Sequence, residues 1–267
     1  FADTGWENPQ TYDYLQDELP KVIGPIDWVR HEHTFDDERE QIALEFEERM
    51  GRYSSMVRLL LYKGMFPGLF HRFCTTDLKM MPIKAYIDDL NDATINAVGI
   101  RAEESARRAA MPVMEYSEAF KCDTWRPILN WTMQEVIDIH HKHGIKPNNL
   151  YLQGNSRVGC WPCIYARKKE IRNWSKDTEK VAIIRDLESV LTERAQRRAV
   201  AKGKDLKRPL TWFCAKTKGA TVWPIDHAIE WANTSRGGRQ FEMFSAFGEE
   251  SGCVRWGLCD TGSSSDE

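Results

Sequence analysis

Thr94-Ile95-Asn96-Ala97-Val98-Gly99-Ile100-Arg101, followed by Ala102-Glu103-Glu104-Ser105-Ala106-Arg107-Arg108, is the stretch that decides the fold. Thr94 to Ile100 reads as a short apolar strand closing on Gly99-Ile100-Arg101, and Glu103 to Ala110 as a helix. A strand that passes into a helix puts Arg101 at the strand's C-terminal edge. In open α/β sheets ligands bind at that edge. Helix starts and arginine forks suit phosphate or sulfate. Taken alone, the same residues also read as a solvated, arginine-bearing helix.

The alternation continues outward. Phe1-Ala2-Asp3 reads as the end of a buried strand, and Thr4 to Asn8 as a turn. Pro9 opens a helix capped by Asn8 and running to about Leu19. Ile26 to Arg30 is a short strand; Asp36 to Met50 and Ser54 to Tyr62 are helices. Arg72 to Lys79 turns into a helix reaching about Leu90. Val113 to Tyr116 and Trp125 to Leu129 are further strands, and Thr132 caps a helix through His143. This order predicts an α/β domain with an open parallel sheet over residues 1–150. Residues 151–262 differ: a cysteine turn, a basic helical stretch from about 165 to 208, and a Trp-rich tail. Residues 263–267 are expected to be disordered.

With 267 residues, 42% hydrophobic and 29% charged, the chain can bury a core and is not of disordered composition. A net charge of −3 gives no bulk field toward nucleic acid or lipid, so such binding needs a local patch. No apolar run approaches the ~20 residues of a membrane helix. The seven cysteines, an odd number in a chain of this size, disfavour a secreted disulfide scaffold and point to a reduced, cytoplasmic setting.

Gly159-Cys160-Trp161-Pro162-Cys163 is the sharpest local signal. Two cysteines separated by two residues can address one ion if the backbone turns tightly; Pro162 favours the turn and Gly159 permits close approach. Cys253 and Cys259 form a second pair. Together the four thiolates suit a zinc ion or an iron–sulfur (4Fe-4S) cluster, between which spacing does not choose. A redox pair or two buried thiols are the plainer alternatives. Cys74 is an alternative ligand, whereas Cys122 and Cys214 read as structural thiols. Trp161, between the two ligands, is placed to shield a centre from solvent. Lys79, with Thr75 and Thr76 ahead of it at a helix start, is a second anion-binding candidate. No glycine-rich phosphate loop follows a strand, and Arg236-Gly237-Gly238-Arg239 reads as a turn.

Together these segments resemble the phosphoadenosine phosphosulfate (PAPS) reductase group of the PP-loop ATP pyrophosphatases. Phe1-Ala2-Asp3-Thr4-Gly5 with Pro9, Thr11 and Tyr12 is similar to the family's second strand and nucleotide-contacting turn. Arg72-Phe73-Cys74-Thr75 with Leu78, Lys79 and Pro82 resembles its "CT..LK..P" segment. Gly99-Ile100-Arg101 with Glu104, Ser105 and Arg108 resembles "GIR..ES..R". Leu150, Tyr151, Gly154 to Arg157, Gly159, Cys160, Pro162 and Cys163 resemble the cysteine turn of cluster-bearing members. The resemblance spans roughly residues 1–175. It implies an adenine-nucleotide-binding sheet with ATP or a sulfonucleotide held by Asp3, Thr4, Gly5, Lys79, Gly99, Arg101, Ser105 and Arg108.

Three departures qualify it. The family's phosphate loop and first strand are not seen ahead of Phe1, so this stretch is expected to hold a triphosphate poorly. The reductive "ECGLH" segment has only Trp256-Gly257-Leu258-Cys259-Asp260 as its counterpart. One cysteine, Cys74, stands where cluster-bearing reductases have two adjacent ones. That last feature is similar to DNA phosphorothioation proteins and their phage-borne relatives, in which ATP adenylates an acceptor and sulfur displaces AMP. Three functions are therefore carried forward: a PAPS-reductase-like enzyme acting on an adenylyl or sulfonucleotide group; an ATP-dependent DNA or RNA sulfur-transferase, served by a sulfur-donor protein; and a zinc-stapled binding module without catalysis. Arg194, Arg197, Arg198, Lys202, Lys204, Lys207 and Arg208 offer a phosphate track for DNA or RNA, or else an ordinary solvated helix face.

Overall fold

The computed structural model describes residues 1–68, 70–90, 93–155, 157–213 and 222–234. Asn8 caps α1 (Pro9–Asp13) by accepting from the Gln10 amide, and a π-helical turn, Tyr14–Glu18, carries the chain into α2 (Pro20–Ile23). Helices α3 (Glu38–Met50) and α4 (Ser55–Lys63) follow, capped by the side chains of Asp37 and Ser54 and each ended by a left-handed glycine, Gly51 and Gly64. Next come α5 (Phe73–Thr75), the π-helical turn Thr76–Met80 and α6 (Met81–Asp89). The helix expected to reach Leu90 is thus present, with a widened turn in its middle.

The sheet departs from expectation. Strands β1 (Ile95–Ala97), β2 (Met114–Ser117) and β3 (Cys122–Trp125) lie in the order β1-β3-β2, with β1 parallel and β2 antiparallel to β3. Among the described residues it is a small mixed sheet, not an open parallel one, within an α/β fold. The strand expected at Trp125 to Leu129 falls earlier because Pro127 has no N–H for a ladder, whereas Cys122 to Trp125 alternates buried and exposed side chains. The expected strands at Phe1 and Ile26 reduce to a parallel bridge, Ala2 to Val29, held by Asp3 N–H to Val29 O at 2.8 Å.

The stretch quoted first also splits. A 3-10 turn, Ala102–Glu104, precedes α7 (Ala106–Ala109), and Ser105 between them is extended, its hydroxyl accepting from the Arg108 amide. Serine offers the backbone this alternative bond, which is why it caps a new helix instead of continuing one. Beyond it lie α8 (Met133–Lys142) with its Thr132–Glu135 capping box, α9 (Asn149–Leu152), α10 (Lys168–Trp174), the long α11 (Thr178–Val200) and α12 (Ile225–Asn233).

One hydrophobic cluster draws on both sides of residue 150. Leu59, Leu60 and Leu61 of α4 meet Ile183, Ile184, Leu187 and Leu191 of α11 in the same core as Trp6, Trp174 and Trp212. Each such buried aliphatic side chain stabilises the fold by roughly 1.5–3 kcal/mol. The core clamps the N-terminal turn against the later helices. Gly5 shows how closely: its φ is +63°, and a Cβ there would stand 2.3 Å from the Tyr53 carbonyl oxygen. Among the described residues no helix is long and apolar enough to cross a membrane.

Candidate functional site

The cysteine turn is fastened to the N-terminal turn. Trp161 N–H donates to Trp6 O at 2.8 Å, Trp6 Nε1 donates to Pro162 O at 3.2 Å, and Glu7 and Cys160 form an antiparallel bridge. Trp6 is fully buried, so this junction belongs to the core. Opposite it, α5 supplies Cys74 and the π-helical turn supplies Lys79; such widened turns occur often at functional sites. Cys74, Cys160, Cys163 and Lys79, with Arg108 from the end of α7, line one cavity of about 410 Å³. Segments distant in sequence therefore converge.

The cavity sets basic side chains beside thiols that burial keeps protonated. Burial pushes the Cys160 thiol up to about 12, against the pull of Lys79. Burial also raises Cys74, with the neighbouring Cys163 adding to it. Lys79 is held above its ordinary value first by Cys160 and then, against burial, by Glu7 and the other thiols. Among the described residues Lys79 makes no ion pair with a carboxylate. Arg72, an exposed residue, stands over the Tyr165 ring at 5.7 Å. Lys79 is half-buried and Arg72 exposed, and two cations at one cavity suit an anionic ligand.

The other expected nucleotide ligands lie outside this lining. Asp3 accepts from the Gly5 amide and the Tyr12 hydroxyl, both at 2.9 Å, and Thr4 Oγ1 donates to Glu7 at 2.7 Å. Asp3, Thr4 and Gly5 thus build the turn that supports the site. Arg101 is buried and paired with Glu103 at 2.7 Å. A Cβ on Gly99 would stand 3.7 Å from Ile128 Cδ1, an ordinary contact, and Ser105 caps α7. Arg108 reaches the cavity while paired with Glu104. A Cβ on Gly159 would meet no atom within 4 Å, so the close approach expected there is not what the glycine serves; it leaves space. Cys122 is buried on β3.

Cys214, Cys253, Cys259 and Arg236 to Arg239 lie outside the described residues, as does the tail expected to be disordered. In the basic stretch, Arg194 and Arg197 pair with Glu38, and Arg198 donates to Gly64 O at 3.0 Å. These arginines brace α11 against α3 and α4.

Several cavity residues carried no assigned role in the sequence. Arg72 and Arg157 sat inside the matching segments; Thr75 and Asn155 also line the wall. Arg157 is paired with Glu170 at 3.3 Å. Lys180 and Trp174 gave no signal at all. Lys180 is buried on α11 with its ammonium 3.4 Å from the Trp6 ring centroid, and burial lowers it to about 7. Only the pairing of α11 with the N-terminal turn, a long-range contact, reveals it.

As donors, the thiols of Cys74, Cys160 and Cys163 suit a soft metal or a cluster in kind. Among the described residues, however, no group of three His, Cys, Asp or Glu stands in a metal-holding arrangement. The cysteine that shares the cavity with the CxxC pair is Cys74, the alternative ligand.

The chain is similar to known proteins over most of its length. Residues 1–166 match the phosphoadenosine phosphosulfate reductase domain. The chain is 32% identical over 301 aligned residues to an uncharacterized 37.8 kDa protein of Escherichia phage 186, covering 97% of this chain and 88% of that one. It is 28% identical over 161 residues to the adenosine 5′-phosphosulfate reductase of Neisseria meningitidis, covering 60% of this chain and 59% of that enzyme. A solved PAPS reductase of Candida auris, in a phosphate complex, is 20% identical, with a TM-score of 0.43 over 60% of this chain and 68% of that one.

Proposed function

Because the chain belongs to the phosphoadenosine phosphosulfate reductase domain family, we propose that its cysteine cavity receives the charged end of an adenylyl or sulfonucleotide substrate beside a thiolate-held, sulfur-handling centre. The supporting observation is the convergence of Cys74, Cys160 and Cys163 with Lys79 and Arg108 on one cavity. Its volume, about 410 Å³, lies within the range of small-molecule sites. On this reading the described strands are part of a larger nucleotide-binding sheet of the PP-loop type.

Each residue then has a definite task. Arg72 and Lys79 supply charge that no carboxylate among the described residues pairs with, and they hold the phosphate or sulfo oxygens. Fixed cations at that position stabilise negative charge that grows on those oxygens during transfer. Arg108 is shared with Glu104 and adds a guanidinium fork once the anion arrives. Lys79 opposes, without outweighing, the burial that keeps Cys160 a thiol; a bound metal would draw off that proton, since the thiolate is the form that holds metal. Cys74, Cys160 and Cys163 would hold the centre, the fourth donor coming from elsewhere. An iron–sulfur cluster there supplies electrons or relays sulfur, and zinc supplies a structural staple. Trp6 and Trp161 keep water from the protein side of the turn.

The test is anaerobic purification, with the visible spectrum and the iron, sulfide and zinc content measured. The protein is then mixed with adenosine 5′-phosphosulfate, PAPS or ATP, and released sulfite, AMP and pyrophosphate are followed. Iron and sulfide lost on Cys160→Ala, with binding of a sulfonucleotide, is the expected result. AMP and pyrophosphate from ATP, with sulfur appearing in added DNA or RNA, would move the assignment to sulfur transfer onto nucleic acid. Zinc alone, without nucleotide binding, would leave a stapled binding module.

A further inference from the structure

We infer that Lys180 is a positioning residue for the cysteine turn, holding the Trp6 indole at the angle from which it fastens that turn. The inference rests on the reading of the cysteine cavity as an anion site. Neither Lys180 nor Trp6 lines that cavity, so both act at one remove. Trp6 is fully buried and touches the turn twice: its carbonyl oxygen accepts from the Trp161 amide at 2.8 Å, and its Nε1 donates to Pro162 O at 3.2 Å. Glu7, the next residue, forms the bridge to Cys160. Rotation of the Trp6 ring would break the Nε1 bond and loosen the wall that carries Cys160, Trp161, Pro162 and Cys163.

Lys180 supplies what fixes the ring. Its ammonium lies 3.4 Å from the ring centroid. Its own place is set by α11: its amide donates to the Asp177 cap at 3.0 Å, and Val181, Ile183 and Ile184 beside it are in the core. Trp212 stacks on the same indole with centroids 5.0 Å apart. The charged groups that act on the ammonium are Asp177 at its own helix start, Glu7 on the N-terminal turn and Arg52 after α3. Lys180 is 8% exposed. A buried amine lowers stability in a way that a methionine of similar length does not. What the amine adds is attraction to the face of an indole, which is strongest where water is excluded. Stability alone therefore favours an apolar residue at this position, and the amine is accounted for by the ring it orients.

The experiment uses the whole chain under anaerobic conditions at pH 6. That is below the value of about 7 to which burial lowers Lys180, so the amine is charged. Wild type, Lys180→Met and Lys176→Met are compared, the last removing an exposed lysine just ahead of the helix. Three quantities are read: urea unfolding, affinity for adenosine 5′-phosphosulfate, and the Trp6 indole N–H resonance of nitrogen-labelled protein. Lys180→Met should unfold at the same or a higher urea concentration than wild type, bind the sulfonucleotide about tenfold more weakly, and show the Trp6 N–H moved upfield. Lys176→Met should match wild type in all three. A residue that only stabilises the fold would lose stability and affinity together; that result overturns the inference, as does unchanged affinity in Lys180→Met. Weaker binding with the Trp6 resonance in place would show the charge acting directly through space, and overturns it as well. These outcomes leave the functional reading standing. If the wild-type chain does not bind the sulfonucleotide, that reading falls and the inference with it.

Discussion

Arg58 is a buried cation and Lys79 a half-buried one, and their surroundings are opposite. All five N–H donors of Arg58 are engaged: two bonds to Glu47 at 2.8 and 2.9 Å, two to Glu40 at 2.8 and 3.0 Å, and one to the His33 carbonyl at 2.9 Å. Glu47 also accepts from the Ser54 amide, which ties the α3–α4 corner into the same network. Those bonds hold Arg58 above its ordinary value. Lys79 has thiols and a more distant carboxylate around it, and no ion pair among the described residues. A matched charge is finished architecture. An unmatched one, beside nucleophilic sulfur, is a site that awaits its counter-ion.

Arg58→Met is the strongest way to break this contrast. Removing one partner of a buried pair leaves the other charge unpaired, at a cost of about 3–5 kcal/mol. Stability of that order is a large share of a domain's total. Urea unfolding should show the loss in full; a change below about 1 kcal/mol would mean that the closed network is not what holds α3 to α4.

Lys180 stands between the two cases, buried with its ammonium against the face of Trp6, and pH sharpens it. Burial lowers its folded value from the ordinary 10.5 to about 7. Between those values the unfolded chain binds the proton and the folded chain does not, so stability rises with pH across that window. The cost is complete below about 7 and disappears toward 10.5. The wild-type chain should therefore gain stability from pH 7 to pH 9, by an amount on the order of a few kcal/mol. Lys180→Met should flatten that slope. An unchanged slope in the variant would assign the pH dependence elsewhere.

The same contrast explains what the sequence disclosed. Matched features are local and were legible. Ser54, Asp37, Asn8 and Thr132 cap helices where side-chain chemistry demands it, and Gly51 and Gly64 end them. Cys74, Lys79, Arg108 and the Cys160–Cys163 turn could be picked out because each sits at a strand edge, a helix start or a tight turn. What could not be read is long-range. Nothing near Lys180 announces that α11 will press it onto Trp6, and nothing in α10 marks Trp174 as a cavity wall. Arg101 reads as a ligand projecting from a strand edge, and its burial against Glu103, two residues on, is not legible there. The sheet was over-read for the same reason, since pairing order is a property of the fold and not of any strand.

Lys79→Met tests the unmatched side directly. Removing a half-buried ammonium that has no ion pair among the described residues should change the unfolding free energy by less than about 1 kcal/mol. Its effect belongs in binding: loss of a charge-assisted hydrogen bond should weaken sulfate or adenosine 5′-phosphosulfate by tenfold or about that. A variant that loses stability and keeps its affinity would reverse the roles drawn here for Arg58 and Lys79.

The smallest effect is expected at Arg197. It lies on α11 between Glu38 at 3.3 Å and Glu193 at 3.6 Å, more than half exposed, and it shares Glu38 with the better-buried Arg194. Exposed pairs of this kind contribute about 0–1 kcal/mol, and salt screens them further. Arg197→Ala should therefore shift urea unfolding only slightly, and less still at high salt. The same variant addresses the basic stretch as a nucleic-acid track. A residue that contacts a phosphate lowers the salt slope of binding by about one when it is removed. Arg197 already has two carboxylates, so its removal should leave any such slope where it was. A drop would mean that nucleic acid competes successfully with Glu38, and that a matched pair on this surface can be opened by a ligand.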